Sequence, residues 1–181
     1  MESPQKLPAR KPNRLPDYDY STPGAYFITI CLKDRKNLLW ESVGASIARP
    51  QRPPLSHWGR IVDESIKNIP LCYPGISVDH YVIMPNHIHL LLQIQTDGDG
   101  RAMLAPTVSV VIQQLKGVVT KQIGHSIWQK LFHDHVIRNE ADYLKIWQYI
   151  DTNPAKWEAD CFYTTEAGGQ CLPTEESGEY L

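Results

Sequence analysis

Two histidines one residue apart, His87 and His89, open an otherwise apolar run, HIHLLLQI. In a strand, side chains at i and i+2 face the same way, about 6.5–7 Å apart at the backbone. Two imidazoles so placed can converge on one divalent ion. They can equally mark the exposed end of a strand beside the Pro85-Asn86 turn, and HxH alone does not separate the two readings. A second pair lies downstream in YIDTN, Tyr149 to Asn153. Four residues along a helix is about 6 Å of rise and about 40° of rotation, so phenol and amide share a face. Asn153 offers a neutral oxygen ligand. Tyr149 offers a hydroxyl whose pKa near 10 makes it a poor nucleophile at neutral pH unless a cation or base assists. Beside a metal that polarises a phosphodiester, such a phenol can attack phosphorus and become covalently linked. A core tyrosine with its hydroxyl at the surface is the other reading of the same residue.

The elements that must position these groups follow from pattern. AYFITIC, Ala25–Cys31, is β-branched and aromatic and predicts a strand. A helix is expected from about Ser56 to Ile69, with Ser56 as cap and Trp58, Ile61, Val62, Ile66 and Ile69 at helical spacing. Val78–Met84 and His87–Ile94 are separated only by Pro85 and Asn86, which predicts an antiparallel hairpin. A second helix is expected from Thr107 to about Ile123. A strand is expected within Trp128–Arg138, and a third helix from near Asn139 until Pro154 stops it. The order strand, helix, strand, strand, helix, strand, extra helix predicts an α+β chain. Its expected form is a ferredoxin-like split β-α-β antiparallel sheet with an added C-terminal helix carrying the tyrosine.

Composition sets limits. The chain has 181 residues, 42% hydrophobic and 21% charged, which excludes disorder as its main state and fits one domain with tails. No run approaches the roughly 18 apolar residues of a membrane helix, and the polar, basic N-terminus is not a secretory signal. A cytoplasmic protein is therefore expected. Cys31, Cys72, Cys161 and Cys171 match no common zinc spacing and read as reduced thiols. Residues 157–181 hold six acids and no Lys or Arg, leaving 18 bases against 14 acids before them. That asymmetry is compatible with nucleic-acid binding. Residues 1–23 read as an extended, basic, Pro-rich arm, 24–157 as the domain, 41–54 as a loop insertion and 158–181 as a flexible acidic tail.

PNHIHLLL resembles the HUH motif (His, bulky hydrophobe, His). DHVIRNEADYLKIWQYIDTNP resembles the end of the REP-associated tyrosine transposases, relatives of the single-tyrosine transposases of small insertion sequences. GAYFITI and VIMPNHIHLLL match as well, so the resemblance spans roughly residues 18–157. It implies that His87 and His89 are metal ligands, that Asn153 is the third protein ligand where more distant relatives have Gln, and that Tyr149 is the nucleophile. Three neutral ligands suit Mg²⁺ or Mn²⁺ at a phosphate, with imidazole favouring Mn²⁺. The implied substrate is single-stranded DNA beside a hairpin repeat. The implied reaction is transesterification through a 5′-phosphotyrosine, by a monomer or homodimer.

Other residues compete for roles. His133-Asp134-His135 is a second HxH, with Asp134 and His135 read as second shell or structural. Tyr143 is a rival nucleophile, but about 240° around the helix from Tyr149. Arg10, Lys11, Arg14, Lys33, Arg35, Lys36, Lys116, Lys121 and Arg138 are candidate phosphate contacts. Trp128, Trp147 and Trp157 are candidate stacking surfaces. Since metal binding needs neutral imidazoles, activity is expected to fall as pH drops through about 6–7. Two other functions remain consistent with the residues: a non-cleaving nucleic-acid-binding module, and a metal-dependent nuclease that activates water.

Overall fold

Alternating side chains in β1, Gly24–Cys31, present two different faces, and the rest of the chain is built on that difference. The computed structural model describes residues 18–41, 54–95 and 106–163. After β1 come α1 (His57–Lys67), a single helical turn α2 (Ile69–Cys72), β2 (Ile76–Ile83), β3 (His87–Ile94), α3 (Val108–Ile123), β4 (His133–Ile137) and α4 (Glu140–Thr152). A 3-10 segment, Asn153–Ala159, follows α4. The four strands lie in the order β2-β3-β1-β4, with each neighbouring pair antiparallel.

Local chemistry explains the helix starts. Ser56, Thr107 and Asn139 each accept a hydrogen bond from a backbone N–H of the first turn, at Gly59, Val110 and Asp142. The helix expected to run to Ile69 instead ends at Lys67, because Pro70 lacks the N–H that would continue the ladder and starts a separate turn. Pro154 ends the α-helical pattern but not the helical path, since a proline in the first turn of the 3-10 segment costs no hydrogen bond. The strand sought within Trp128–Arg138 is only His133–Ile137, and Trp128 forms an isolated bridge to Leu32.

One sheet face is apolar throughout. Tyr26, Ile28 and Ile30 of β1 and Ile88, Leu90, Leu92 and Ile94 of β3 pack against Val62 and Ile66 of α1 and Val111, Ile112, Leu115 and Val119 of α3. On the other face, Phe27 and Leu91 pack against Ile146 and Ile150 of α4. Helix α4 therefore crosses the face that also carries His87 and His89. The ends of the 41–54 loop are held together by a Trp40–Leu55 bridge and a Glu41 N to Pro54 O bond of 2.9 Å, while 42–53 lie outside the described residues.

Helix α1 enters against the backbone of Leu38 and Leu39. Ser56 Oγ donates to Leu38 O at 2.6 Å and Ser56 N to Leu39 O at 2.9 Å. Gly59 sits directly beneath, where an added Cβ would collide with the Leu39 carbonyl oxygen. Gly59→Ala is expected to cost about 1–3 kcal/mol through this overpacking, read as a lower midpoint in urea with an unchanged slope. A midpoint equal to wild type would mean that the α1 entry is not tightly packed.

Candidate active site

His89 lies directly across from Thr29 of β1, and Thr29 Oγ1 meets its Nδ1 at 2.8 Å. Phe27, two residues back on the same face, stacks on the imidazole at 5.1 Å. His87 is held differently. Asn86 donates both Nδ2 bonds to carbonyls, Arg35 O at 3.2 Å and Phe162 O at 2.9 Å, which turns its Oδ1 toward His87 Nδ1 at 2.9 Å. His87 Nδ1 is thus the donor, and the lone pair of a neutral His87 sits on Nε2. The two Nε2 atoms face each other 3.0 Å apart in a fully buried pocket.

Helix α4 brings Tyr149 to this pair. Its hydroxyl lies 3.4 Å from His89 Nε2, and its ring packs edge-on against both Phe27 and His89. Asn153, one turn on, is buried, and its Nδ2 donates to Asp160 Oδ2 at 2.9 Å. Asp160 Oδ1 accepts from Phe162 N at 2.7 Å. Ligand atoms of His87, His89 and Asp160 all lie within 4.8 Å of one another.

Burial governs the protonation of these groups. It pushes His87 down to about 3, with the Arg35 guanidinium adding to the effect. It also holds His89 well below the ordinary imidazole range, with His87 adding and Asp160 opposing. The phenol of Tyr149 is moved well above its usual value, first by burial and then by the Asp160 charge. The site therefore offers two neutral imidazoles, one carboxylate and a protonated phenol.

A divalent cation fits this donor set on two observations. Two nitrogens each about 2.1 Å from an ion and at right angles lie about 3 Å apart, which matches the observed Nε2 separation. Asn153 Oδ1 is buried without a hydrogen-bond partner and can serve as a neutral oxygen ligand. His87, His89 and Asp160 would hold the ion, with the Asn153 oxygen in reserve. The donors do not identify the metal.

The sequence had no local signal for Asp160, which stands in an acid-rich stretch read as a flexible tail. That reading is corrected for residues 158–163: Trp157 and Phe162 pack on Cys31 and Met84, and this apolar anchorage carries Asp160 inward. The aromatic density of W-x-x-D-C-F-Y was the available clue. Thr29 and Asn86 were also missed, since each matters only through strand pairing or the hairpin turn.

Other candidates are not brought to the site. Asp134 is the cross-strand partner of Ile28 and so faces the α1/α3 side, opposite the histidines. His135 shares the histidine face, but its Nε2 pairs with Asp142 at 2.8 Å. The Tyr143 hydroxyl donates to Asp79 at 2.9 Å, and burial pushes its pKa up to about 12. Lys116 bonds the carbonyls of Gln129 at 3.0 Å and Leu131 at 3.1 Å, which makes it a loop clip rather than an outward phosphate contact. Lys33 and Lys36 are exposed on the turn after β1, Lys121 on α3 and Arg138 before α4. Arg10, Lys11 and Arg14 lie outside the described residues. Trp128 and Trp157 are core residues, and Trp147 stacks on His80 at 4.3 Å. No described helix is long and apolar enough to cross a membrane.

No protein-family model matches the chain. It is 31% identical over 173 residues to an uncharacterized protein of Haemophilus influenzae, covering 85% of this chain and 93% of that one. A second Haemophilus influenzae protein, named "Putative REP-associated tyrosine transposase", is 27% identical over 154 residues, 76% of this chain and 74% of that one. Among solved structures, a REP-associated tyrosine transposase bound to a REP hairpin matches with a TM-score of 0.55 at 25% identity, covering 75% of this chain and 68% of that one. The shared architecture is an α+β fold with a four-stranded antiparallel sheet and three main helices.

The buried imidazoles shift the expected pH effect from activity at about 6–7 to stability at lower pH. Above about 6.5 both histidines are neutral whether the chain is folded or unfolded. As pH falls from there toward the folded value of about 3 for His87, the unfolded chain takes up protons that the folded chain does not. In chelator, stability is expected to fall by up to about 1.4 kcal/mol per pH unit for each histidine. Replacing both by Gln should flatten that slope, and an unchanged slope would place the acid sensitivity elsewhere. Mn²⁺ at about 100 times its Kd should stabilise the wild type by about 2.7 kcal/mol. Asp160→Asn and His89→Ala should each lose most of that gain in calorimetry, whereas retention in both would remove the cluster as the ion's seat.

Proposed function

We propose that this chain, which is similar to a putative REP-associated tyrosine transposase and to a solved one, is a member of that family and cleaves and rejoins single-stranded DNA at hairpin-forming repeats, with Tyr149 as the nucleophile. The observation that carries the reading is the Tyr149 hydroxyl, 3.4 Å from a His89 nitrogen that is sixty residues away in sequence. The strand order and the two β-α-β crossings support a ferredoxin-like sheet to which α4 is added as the nucleophile's carrier. The hairpin bound by the related transposase supports a hairpin repeat as the DNA partner.

In the proposed reaction the Tyr149 oxygen forms a bond to phosphorus and the bond from phosphorus to the 3′-oxygen breaks. The phenolic proton is given up, the departing 3′-oxygen takes up a proton, and the 5′-phosphate remains on Tyr149. Attack by a 3′-OH reverses the step, so one phosphodiester is exchanged for another without an external energy source. His87, His89 and Asp160 would hold a divalent ion, which would supply positive charge that favours the phenolate and polarises the phosphate. The chain's own residues do the positioning. Thr29 and Asn86 orient the imidazoles, Phe27 walls off one side of Tyr149, and Asn153 holds the Asp160 carboxylate beside the pair.

The burial that keeps the phenol protonated favours one competing reading, a hairpin-binding module that no longer cleaves. The two readings separate on a denaturing gel after incubation with Mn²⁺ and labelled single-stranded DNA carrying the hairpin repeats that flank the gene. Wild type is expected to give a slow covalent band. Tyr149→Phe should abolish that band while hairpin affinity on a native gel stays within about twofold. Retention on the native gel with no band or cleavage would support the binding module, and cleavage without an adduct would support activated water.

A further inference from the structure

Strand β2 does not pair with β3 in a single register. Residues 76–78 lie opposite 92–94, and the register then shifts between Val78 and His80, with Asp79 as the extra residue. Strict alternation would put His80 on the same side as Val78, which packs in the α1/α3 layer. The bulge turns His80 to the other face, opposite Leu91, where α4 lies. There the imidazole makes two contacts with α4. It stacks on the Trp147 ring at 4.3 Å with 14° between the planes, and its Nε2–H donates to Asp151 Oδ1 at 2.9 Å. Asp79 in turn accepts from the Tyr143 hydroxyl of α4 at 2.9 Å. The bulge interrupts the ladder, and both side chains it re-aims hold the same helix.

These contacts fall on one flank of α4. The helix rests on the sheet through Ile146 and Ile150, which meet Phe27 and Leu91. Trp147 and Asp151 stand about 100° to one side of the Ile146–Ile150 line, and Tyr149 about 80° to the other. His80 thus grips the flank opposite the phenol. The apolar seat is narrow, four buried side chains in all. A cavity of about 310 Å³ lies along the gripped flank, lined in part by His80, Val82, Ile150, Asp151 and Pro154, so close packing does not fix the roll of the helix there. With side-chain ends about 5–6 Å from the helix axis, a roll of about 10° moves them about 1 Å. A displacement of that size at a reacting atom can cost about 100-fold in rate. We propose that His80 is a positioning residue for strand transfer: through Trp147 and Asp151 it sets the roll of α4 and so holds the Tyr149 hydroxyl at the histidine pair. The proposal rests on the reading of Tyr149 as nucleophile. The Tyr149 flank has a tie of its own, Asp142 to His135 at 2.8 Å, but that lies about two turns away at the start of the helix. His80 holds the residues on either side of Tyr149.

The test is single-turnover adduct formation with Mn²⁺ and saturating hairpin-repeat DNA, at a temperature well below the unfolding midpoint of every variant. His80→Ala is expected to slow the reaction about 10- to 100-fold, with hairpin affinity within about twofold and Mn²⁺ affinity unchanged. His80→Gln keeps a donor for Asp151 and His80→Phe keeps a ring on Trp147, so each should recover part of the rate. Asp151→Ala should slow the reaction less than His80→Ala and add nothing to it in the double variant. Gly59→Ala, which loosens the distant α1 entry, is the stability control and should leave the rate within about twofold. The crystal structure of His80→Ala needs no turnover: α4 should roll, carrying the Tyr149 hydroxyl about 1 Å from its place beside His89. An unmoved α4, an unchanged rate, or an equal loss in Gly59→Ala would overturn the proposal. Weakened hairpin binding with the rate at saturation kept would also overturn it and make His80 a DNA contact. If Tyr149→Phe still forms the wild-type adduct, the nucleophile reading itself fails, an outcome read on the denaturing gel, whereas the roll of α4 is read from the crystal.

Discussion

The pairing of β1 with β3 is the constraint on which the site depends. Its register sets Thr29 opposite His89 and Cys31 opposite His87, while Ile28 and Ile30 face the other way with Leu90 and Ile88. A slip of one residue would turn both imidazoles into the apolar layer beneath α1 and α3 and would expose the leucines in exchange. The cost of that exchange keeps the register, and the register keeps the chemistry on the α4 face. The hydrophobic core therefore does more than stabilise the sheet, because it decides which side the histidines occupy.

Burying polar groups this deeply requires that each be answered. Asn86 and Thr29 satisfy the two Nδ1 atoms, and Asn153 and the Phe162 amide satisfy Asp160. The two Nε2 atoms answer only each other and the Tyr149 hydroxyl, and the Asn153 oxygen is left without a partner. A neutral His89 with its proton on Nε2 donates to His87 Nε2 while Thr29 donates to its Nδ1, and a cation that took the place of that proton would meet both nitrogens. Low dielectric keeps both imidazoles neutral, the state needed to ligate a metal. The same low dielectric leaves the phenol protonated until positive charge arrives.

The segment after α4 ties the two halves of the site together. Pro154 tightens the chain into a 3-10 path instead of releasing it, and Trp157 and Phe162 anchor that path on Cys31 and Met84. Asp160 arrives between these anchors, and the Arg35 guanidinium lies 5.4 Å from the centre of the Phe162 ring. The site is thus assembled from β1, the β1 exit turn, the β3 hairpin, α4 and the following segment. None of these carries a complete reactive centre by itself.

Some of this was legible in the chain alone. The β3 strand, the caps at Ser56, Thr107 and Asn139, and the shared helix face of Tyr149 and Asn153 are local matters, set by backbone period and by side chains that reach no further than one turn. The motif pair HIH and YIDTNP carried the family resemblance for the same reason, since each lies within a few residues of sequence. Asp160, Thr29 and Asn86 could not be assigned that way. Their roles arise from contacts across strand pairing, across a turn, or across the packing of Phe162, and no periodicity in the sequence records such contacts. Lys116 and Asp134 show the converse: their residue types suited the roles expected of them, but the packing of the 129–131 loop and the alternation of β4 placed them elsewhere. Sequence by itself determined which groups were available and on which local face they stand. The tertiary structure decided which of them share a buried, low-dielectric space, because only packing removes the water that would otherwise keep them independent.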